Sequence, residues 1–510
     1  MSSRLPEDTQ PRISRRARHA RDEDLARLDA LLVVVPDEAG AETWKTLPNG
    51  AWLHAEKNRR RSRVGSVLAA RAANGAECAV IVGLRGREAT PFQALALAGR
   101  MFKEAAAAQP RRVGLDAVGL SRADEAVALE ALTAATLAGA FELPSFKSEA
   151  QPSTTARALT LYGEAEFDLG RTIATAAGNN LARWLTALPG NRLTPGSYRE
   201  RVERLAKREG WRARFHDTDA LRRKGAGAFL AVAQGSGAND AGIMQLQYRP
   251  RARRLGEPVA LVGKGICFDT GGTNLKTHKS MLDMHTDMEG SAVALGTLLA
   301  LTRLKADFPV SCWLALTENR IGPSAYKPQD VVTAANGTSI HVIHTDAEGR
   351  MVLADALALA AEEEPALILD FATLTGACVN ALTERYSGVF TNRPGWRAEL
   401  ERAGIESGER VWCFPTDEDF DTDLESPIAD IMQCTTDNKG DHILAARFLN
   451  RFVPPSIPWA HVDLAAGQRT GGLGHITSDI TGFGVRFAVN LLLHSRQRRA
   501  ARASSGRRVP

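Results

Sequence analysis

The sequence predicts an α/β protein of two domains: a smaller N-terminal α/β domain and a larger C-terminal domain with a mixed, mostly parallel sheet flanked by helices. Three observations predict it. Short apolar runs alternate with longer amphipathic ones along most of the 510 residues, the pattern of a parallel sheet covered by helices. A polar stretch without periodicity, SFKSEAQPSTT (145–155), divides the alternation into two blocks. The length itself exceeds what one hydrophobic core usually serves.

The first block follows a basic segment over residues 1–25, expected to be flexible. ALLVVVPD (30–37) and CAVIVGL (78–84) are apolar enough for buried strands, and SRVGSVLAARAANG (62–75) has helical spacing and ends at glycine. PFQALALAGRMFKEAAAAQ (91–109) is helical, RRVGLDAVGL is a strand, and DEAVALEALTAATLAGAFE is a strong helix. These elements make the N-terminal domain, 26–150, followed by a linker at 151–165. ALTLYGE then gives a short strand, and a helix from Phe167 to Leu188 stops at a proline–glycine turn. In the second block GAFLAVAQG (227–235), PVALVGKG (258–265), PVSCWLALTEN (309–319) and PALILDFATLTG (365–376) are expected strands. SAVALGTLLALTRLKAD (291–307) and MVLADALALAAEEE (351–364) are the helices between them. Parallel-sheet proteins bind ligands beyond the C-terminal ends of their strands. The polar clusters GKGICFD, TEN and TLTG fall at such ends.

Composition narrows the function classes. Hydrophobic residues make up 44% and charged residues 24%, ordinary values for a soluble globular protein. No apolar run is long enough to cross a bilayer, and the basic N-terminus lacks the apolar core of a secretory signal, so a cytoplasmic protein is expected. Six scattered cysteines without a CxxC pair are expected to be reduced and mostly buried. The net charge of +5 owes much to the C-terminal HSRQRRAARASSGRRVP (494–510), with six arginines and no acid. A solvated tail is the favoured reading of that segment over a nucleic-acid contact.

Chemistry concentrates in two stretches. HTDAEGR (344–350) places Asp346, Glu348 and Arg350 on alternate positions, which an extended chain would turn to one face. Around 258–290, Lys264, Asp269, Lys276 and Asp287 are threaded through Gly263, Gly265, Gly271 and Gly272. Glycines let a backbone turn sharply and approach a ligand. Any one of these charged residues alone would be a solvated surface group. Together they bring four carboxylates and three cations into glycine-rich turns beside apolar strands. Clustered carboxylates need a neutralising cation. A pair of divalent ions, Zn²⁺, Mn²⁺ or Mg²⁺, bridged by a carboxylate at about 3.5–4 Å separation, would supply it.

HTDAEGR closely resembles the NTDAEGR signature of the leucyl (cytosol) aminopeptidases, the M17 metallopeptidases, and further blocks resemble the same family. They are VGKGICFDTGG followed by MHTDM, TENRIGPSAYKPQDVVTAANG, DFATLTGACVNAL, SPIADI, WAHVDLAAG, ITGFGVR and NNLARWLTALPGNRLTP. The resemblance covers about 165–490 and implies a catalytic dimetal aminopeptidase domain at 166–493. It implies that Lys264, Asp269, Asp287 and Glu348 hold one metal, and that Asp269, Asp346 and Glu348 hold the other, Mn²⁺ or Zn²⁺. Lys276 and Arg350 match the catalytic positions. Lys276 would stabilise the oxyanion, and Arg350 would hold a bicarbonate that moves the proton. Met284, Thr373, Leu374 and Gly376 would bind substrate. The implied substrates are short peptides with a free N-terminus, cleaved by a metal-activated water inside a homohexamer. A scaffold or nucleic-acid-binding relative with little peptidase activity is the alternative. His344 replaces the family's usual asparagine and is expected to support the site rather than join it. Cys267 is expected to be a small buried residue, not a soft ligand. Gln329 stands where glycine is common. His285, His341, His442, His461 and His475 have no ligand spacing.

Overall fold

In the N-terminal part, six strands form one sheet: β1 (Arg12–Arg16), β2 (Ala30–Pro36), β3 (Val67–Arg71), β4 (Ala79–Arg85), β5 (Arg112–Ala117) and β6 (Ala158–Tyr162), in the order β1-β6-β5-β2-β4-β3. The computed structural model describes residues 5–6, 10–71, 77–149, 156–237, 239–251, 255–437 and 439–493. Only β3 runs antiparallel, at the edge against β4. Helices Pro91–Ala106 and Arg122–Gly139 start at Thr90 and Ser121, whose hydroxyls accept the amides of Gln93 and Asp124.

Three expectations change here. The stretch at 62–75 is not a helix: Val67–Arg71 is β3, and 72–76 lie outside the described residues. Its alanines satisfy helical spacing, but pairing with β4 satisfies its backbone at the sheet edge. Segment 1–25 is not wholly flexible, because β1 pairs in parallel with β6. For the same reason 151–165 is not all linker: β6 sits between β1 and β5. The arginine-rich tail, 494–510, lies outside the described residues.

The C-terminal part is built on eight strands. They are β7 (Arg212–Asp217), β8 (Gly242–Tyr248), β9 (Val259–Asp269), β10 (Val310–Asn319), β13 (Leu367–Ala372), β14 (Ser387–Thr391), β15 (Val411–Cys413) and β17 (Trp459–Asp463). A small separate sheet holds β11 (Val331–Thr333), β12 (Ser339–His341) and β16 (Ile431–Met432). The large sheet runs β15-β14-β17-β13-β9-β10-β8-β7. Its centre, β17-β13-β9-β10, is parallel, and antiparallel β14 and β8 flank it. Helices cover both faces, so β9 and β10 are apolar on both sides.

GAFLAVA, expected as a strand, is the helix Gly227–Ala233. A short buried apolar run does not announce its period. Its start is held by Asp355, whose carboxylate accepts the Phe229 amide at 2.7 Å. Helices Leu169–Thr186 and Glu289–Arg303 cross at Gly178 and Gly296, so closely that a Cβ at Gly178 would lie 2.2 Å from the Gly296 carbonyl oxygen. The first of these helices also joins the two domains: Asn180 and Arg183 donate to the carbonyls of Leu137 and Ala138. Arg486 pairs with Glu130 across the same boundary at 2.8 Å.

Glu409 gives the fold a measurable pH dependence. Its buried carboxylate accepts the amides of Gly484 (2.9 Å) and Phe487 (2.7 Å). Burial nevertheless pushes its carboxyl up to about 7 from an ordinary 4.5. A folded pKa above the unfolded one means stability complete below the unfolded value and lost as pH rises through the folded one. Glu409→Gln keeps an acceptor and removes that titration. The variant is expected to lose less stability than the parent between about pH 5 and about pH 8, by on the order of 2 kcal/mol in urea unfolding.

Candidate functional site

The site forms at the C-terminal ends of β9, β10 and β13, where the parallel strands release their loops. β9 carries Lys264 in its interior and ends on Asp269. Helix packing explains the glycine before Lys264: a Cβ at Gly263 would lie 2.4 Å from the Ser291 Cα. After Asp269 the chain turns through Gly271 (φ +85°) and Gly272 (φ +65°), a backbone that side chains resist. The turn returns Lys276 to the site, with its amide donating to Thr270 at 2.9 Å. Asp287 lies two residues before the helix Glu289–Arg303, and Glu348 is the first residue of the helix Glu348–Ala361. A carboxylate at a helix N-terminus is favoured by the exposed amides and the dipole there.

HTDAEGR is therefore not extended. Asp346 lies in a turn, and the helix begins two residues later. The turn still brings both acids inward, and Gly349 has a definite reason. A Cβ there would lie 2.6 Å from the Lys264 Nζ. Only glycine lets the lysine reach past the helix.

All five residues expected to bind metal come together. The carboxylates of Asp269, Asp346 and Glu348 offer oxygens within 4.8 Å of one another. Lys264 Nζ lies 2.7 Å from Asp287 Oδ1 and 3.0 Å from Glu348 Oε1, and donates to the Thr373 carbonyl at 2.9 Å. Lys276 Nζ lies 2.8 Å from Asp269 Oδ2 and 2.5 Å from Asp346 Oδ1. Four carboxyls against two ammonium groups leave a formal excess of two negative charges, and Lys264, Asp269, Asp287 and Glu348 are buried.

That excess shows in the acidities. Burial, outweighing the adjacent Lys264, pushes Asp287 up to about 8. Burial and the nearby Asp269 raise Asp346 to about 6, and the same two causes raise Glu348. Burial pulls the Lys264 amine down, but Asp287, Glu348 and Asp269 together lift it well above its usual range. Asp287 Oδ2 is buried without a hydrogen-bond partner. An orphaned oxygen and carboxyls that outnumber the ammonium groups fit divalent cations: hard oxygen donors, with one lysine that must first lose its proton.

Arg350 is buried, as expected of an inward-facing cation, but it is not free. Its Nη2 donates to both oxygens of Asp441, at 2.8 and 2.9 Å, and its Nη1 to the Gln433 carbonyl at 3.2 Å. Burial lowers the guanidinium and Asp441 raises it, for a net rise. The expected substrate residues have differing contacts. Thr373 Oγ1 donates to Asp287 at 2.7 Å, and the Leu374 amide donates to Asp463 at 3.1 Å. Met284 is half-buried, and Gly376 is exposed at the start of the helix Gly376–Leu382.

Sequence reasoning missed several supports. Asn319, at the end of β10, donates to Asp269 at 2.8 Å, to the Thr345 carbonyl at 3.0 Å and to Glu348 at 3.5 Å. The Tyr326 hydroxyl donates to the Thr345 carbonyl at 2.8 Å. Asp441 and Asp463 were also missed; each lies some ninety residues from the group it holds. The TEN motif at a strand end was the one available signal for Asn319. His344 is exposed, and its Nδ1 accepts the Asp346 amide at 3.3 Å. Cys267 packs in the main core. Gln329 adopts φ +76°, the conformation that explains a preference for glycine there.

Comparison with known proteins gives the class: a hydrolase of the aminopeptidase type. The sequence pattern of the cytosol aminopeptidase family, catalytic domain, matches residues 180–489. The chain belongs to the cytosol aminopeptidase family. It is 36% identical to a probable cytosol aminopeptidase of Synechococcus sp. (strain CC9311) over 448 residues, 86% of this chain and 89% of that one. It is 38% identical to its counterpart in Synechococcus sp. (strain JA-3-3Ab) over 471 residues, 88% and 90% of the two chains. Among solved structures, a tomato leucine aminopeptidase mutant superposes with TM-score 0.84 at 27% identity, covering 97% of this chain and 98% of that one. The bottromycin maturation enzyme BotP in complex with Mn gives TM-score 0.80 at 29% identity, covering 92% and 99%. Among the described residues, no helix is long and apolar enough to cross a membrane.

Proposed function

We propose that this protein is a metal-dependent aminopeptidase that releases leucine and similar residues from the N-termini of short peptides. The observation that carries the reading is the convergence of four carboxylates, Asp269, Asp287, Asp346 and Glu348, on two lysines, Lys264 and Lys276, a formal excess of two negative charges. Lys264, Asp269, Asp287 and Glu348 would hold one ion, and Asp269, Asp346 and Glu348 the other. When bound, two such ions polarise a carbonyl and acidify water. A relative solved with Mn supports a divalent metal of that kind. Because the Lys264 amine is raised by its acidic neighbours, taking up metal there displaces a proton.

Lys276 keeps its charge beside Asp269 and Asp346. From there it faces the carbonyl whose oxygen becomes negative during attack. Met284, Thr373, Leu374 and Gly376 form the wall for the first residue, with methionine as an adaptable apolar surface. A cytoplasmic homohexamer admitting short peptides completes the proposal. The alternative, nucleic-acid binding, rests on the tail at 494–510, and no described residue favours it.

The test compares leucinamide with its N-acetylated form, on protein stripped of metal and then restored with Mn²⁺ or Zn²⁺. Cleavage of leucinamide alone, lost on stripping and regained on restoration, is expected. Equal cleavage of the blocked compound would contradict an aminopeptidase, and indifference to chelation would contradict the metal.

A further inference from the structure

The resemblance to the aminopeptidases places an exchangeable bicarbonate at Arg350, and the residues found there do not fit one. Arg350 is only 2% exposed. Its Nη2 donates to both oxygens of Asp441 and its Nη1 to the Gln433 carbonyl, while its Nε is buried without a hydrogen-bond partner. Bicarbonate presents the same pair of oxygens as a carboxylate, so it would have to displace Asp441 from the guanidinium. A tethered carboxylate has the advantage of a high effective concentration. Asp441 is also fixed from behind. It opens the helix Asp441–Asn450, follows Gly440 at φ +62°, and so sits where a helix favours an acid. Its side chain, 18% exposed against 3% for that of Arg350, is the solvent-facing half of the pair.

We propose that Asp441 is a built-in carboxylate that takes the place of the exchangeable anion at Arg350, so that this chain hydrolyses peptides without bicarbonate. The inference rests on the aminopeptidase reading above. In the step it serves, the water oxygen bonds to the acyl carbon and gives a proton to the Asp441 carboxylate. The carbon–nitrogen bond then breaks, and that proton passes to the departing amine. Asp441 returns to its ionised form, one water is consumed, and no other reactant is needed.

The experiment has an activity arm and a binding arm. With metal-loaded protein in carbonate-free buffer, added bicarbonate is expected to change leucinamide hydrolysis by less than about twofold, while Asp441→Ala loses roughly 10²-fold without it. Bicarbonate or formate should restore at least about tenfold of that loss in Asp441→Ala. Asp441→Asn, which keeps the side chain's shape, should be equally impaired and not restored. In the binding arm, the ¹³C line of labelled bicarbonate should broaden with Asp441→Ala and not with the parent. Several-fold stimulation of the parent by bicarbonate, binding to the parent, or full activity of Asp441→Ala without added anion would each overturn the proposal. A parent that releases no leucine under any condition overturns the aminopeptidase reading and the proton role with it. The binding arm still decides whether Asp441 excludes the anion.

Discussion

Asp269→Asn is expected to lose both metal uptake and turnover, with kcat falling by about 10³-fold or more. Asp269 is shared by both proposed metal sets, and its surroundings show why no neighbour can replace it. Its Oδ1 accepts from Asn319 and from the Gly271 amide, each at 2.8 Å, while Oδ2 faces Lys276 at 2.8 Å. An asparagine oxygen could keep the first two contacts. Its amide would then meet the Lys276 ammonium, donor against donor, and the site would lose one of its negative charges. Elemental analysis after reconstitution, alongside turnover of leucinamide, measures both effects. A variant that retains two ions per chain and parental kcat would remove Asp269 from the centre of the site.

Lys276→Met is the second large effect, and its signature differs. The methionine fills similar volume without charge, so the loop anchored by the Lys276 amide on Thr270 should persist. Metal content should hold or rise, because Asp269 and Asp346 are freed of a competing cation. Turnover should fall by about 10²–10³-fold with KM little changed, as expected when a contact made mainly in the transition state is removed. A fall confined to KM would make Lys276 a substrate-binding group. A kcat within about threefold of the parent would end the oxyanion role.

Much of the site was legible because its chemistry is written in short motifs. VGKGICFDTGG contains a strand, its terminal acid and the glycines that turn the chain back, all within eleven residues. The long apolar runs of β9 and β10 were legible because both faces of each strand are buried. What failed was short or at an edge. β3 is alanine-rich and half exposed, so its composition favoured a helix while its pairing with β4 decided otherwise. Gly227–Ala233 is about two turns of helix with no polar face to mark its period. In HTDAEGR the motif marked acids that the fold does bring together, but alternation was a poor guide to geometry, since a turn followed by a helix start also gathers them.

By itself the sequence determined which acids and lysines come together and where the backbone must bend, since acids, lysines and glycines act through their own covalent structure. Only the tertiary structure decided how those charges are balanced. It buried Asp287 beside Lys264 and still raised its pKa, set Asn319 against Asp269, and placed Asp441 on Arg350 from ninety-one residues away. The reason is that a charge's free energy depends on its distance to other charges and on its access to water. Both quantities come into being when separate segments pack.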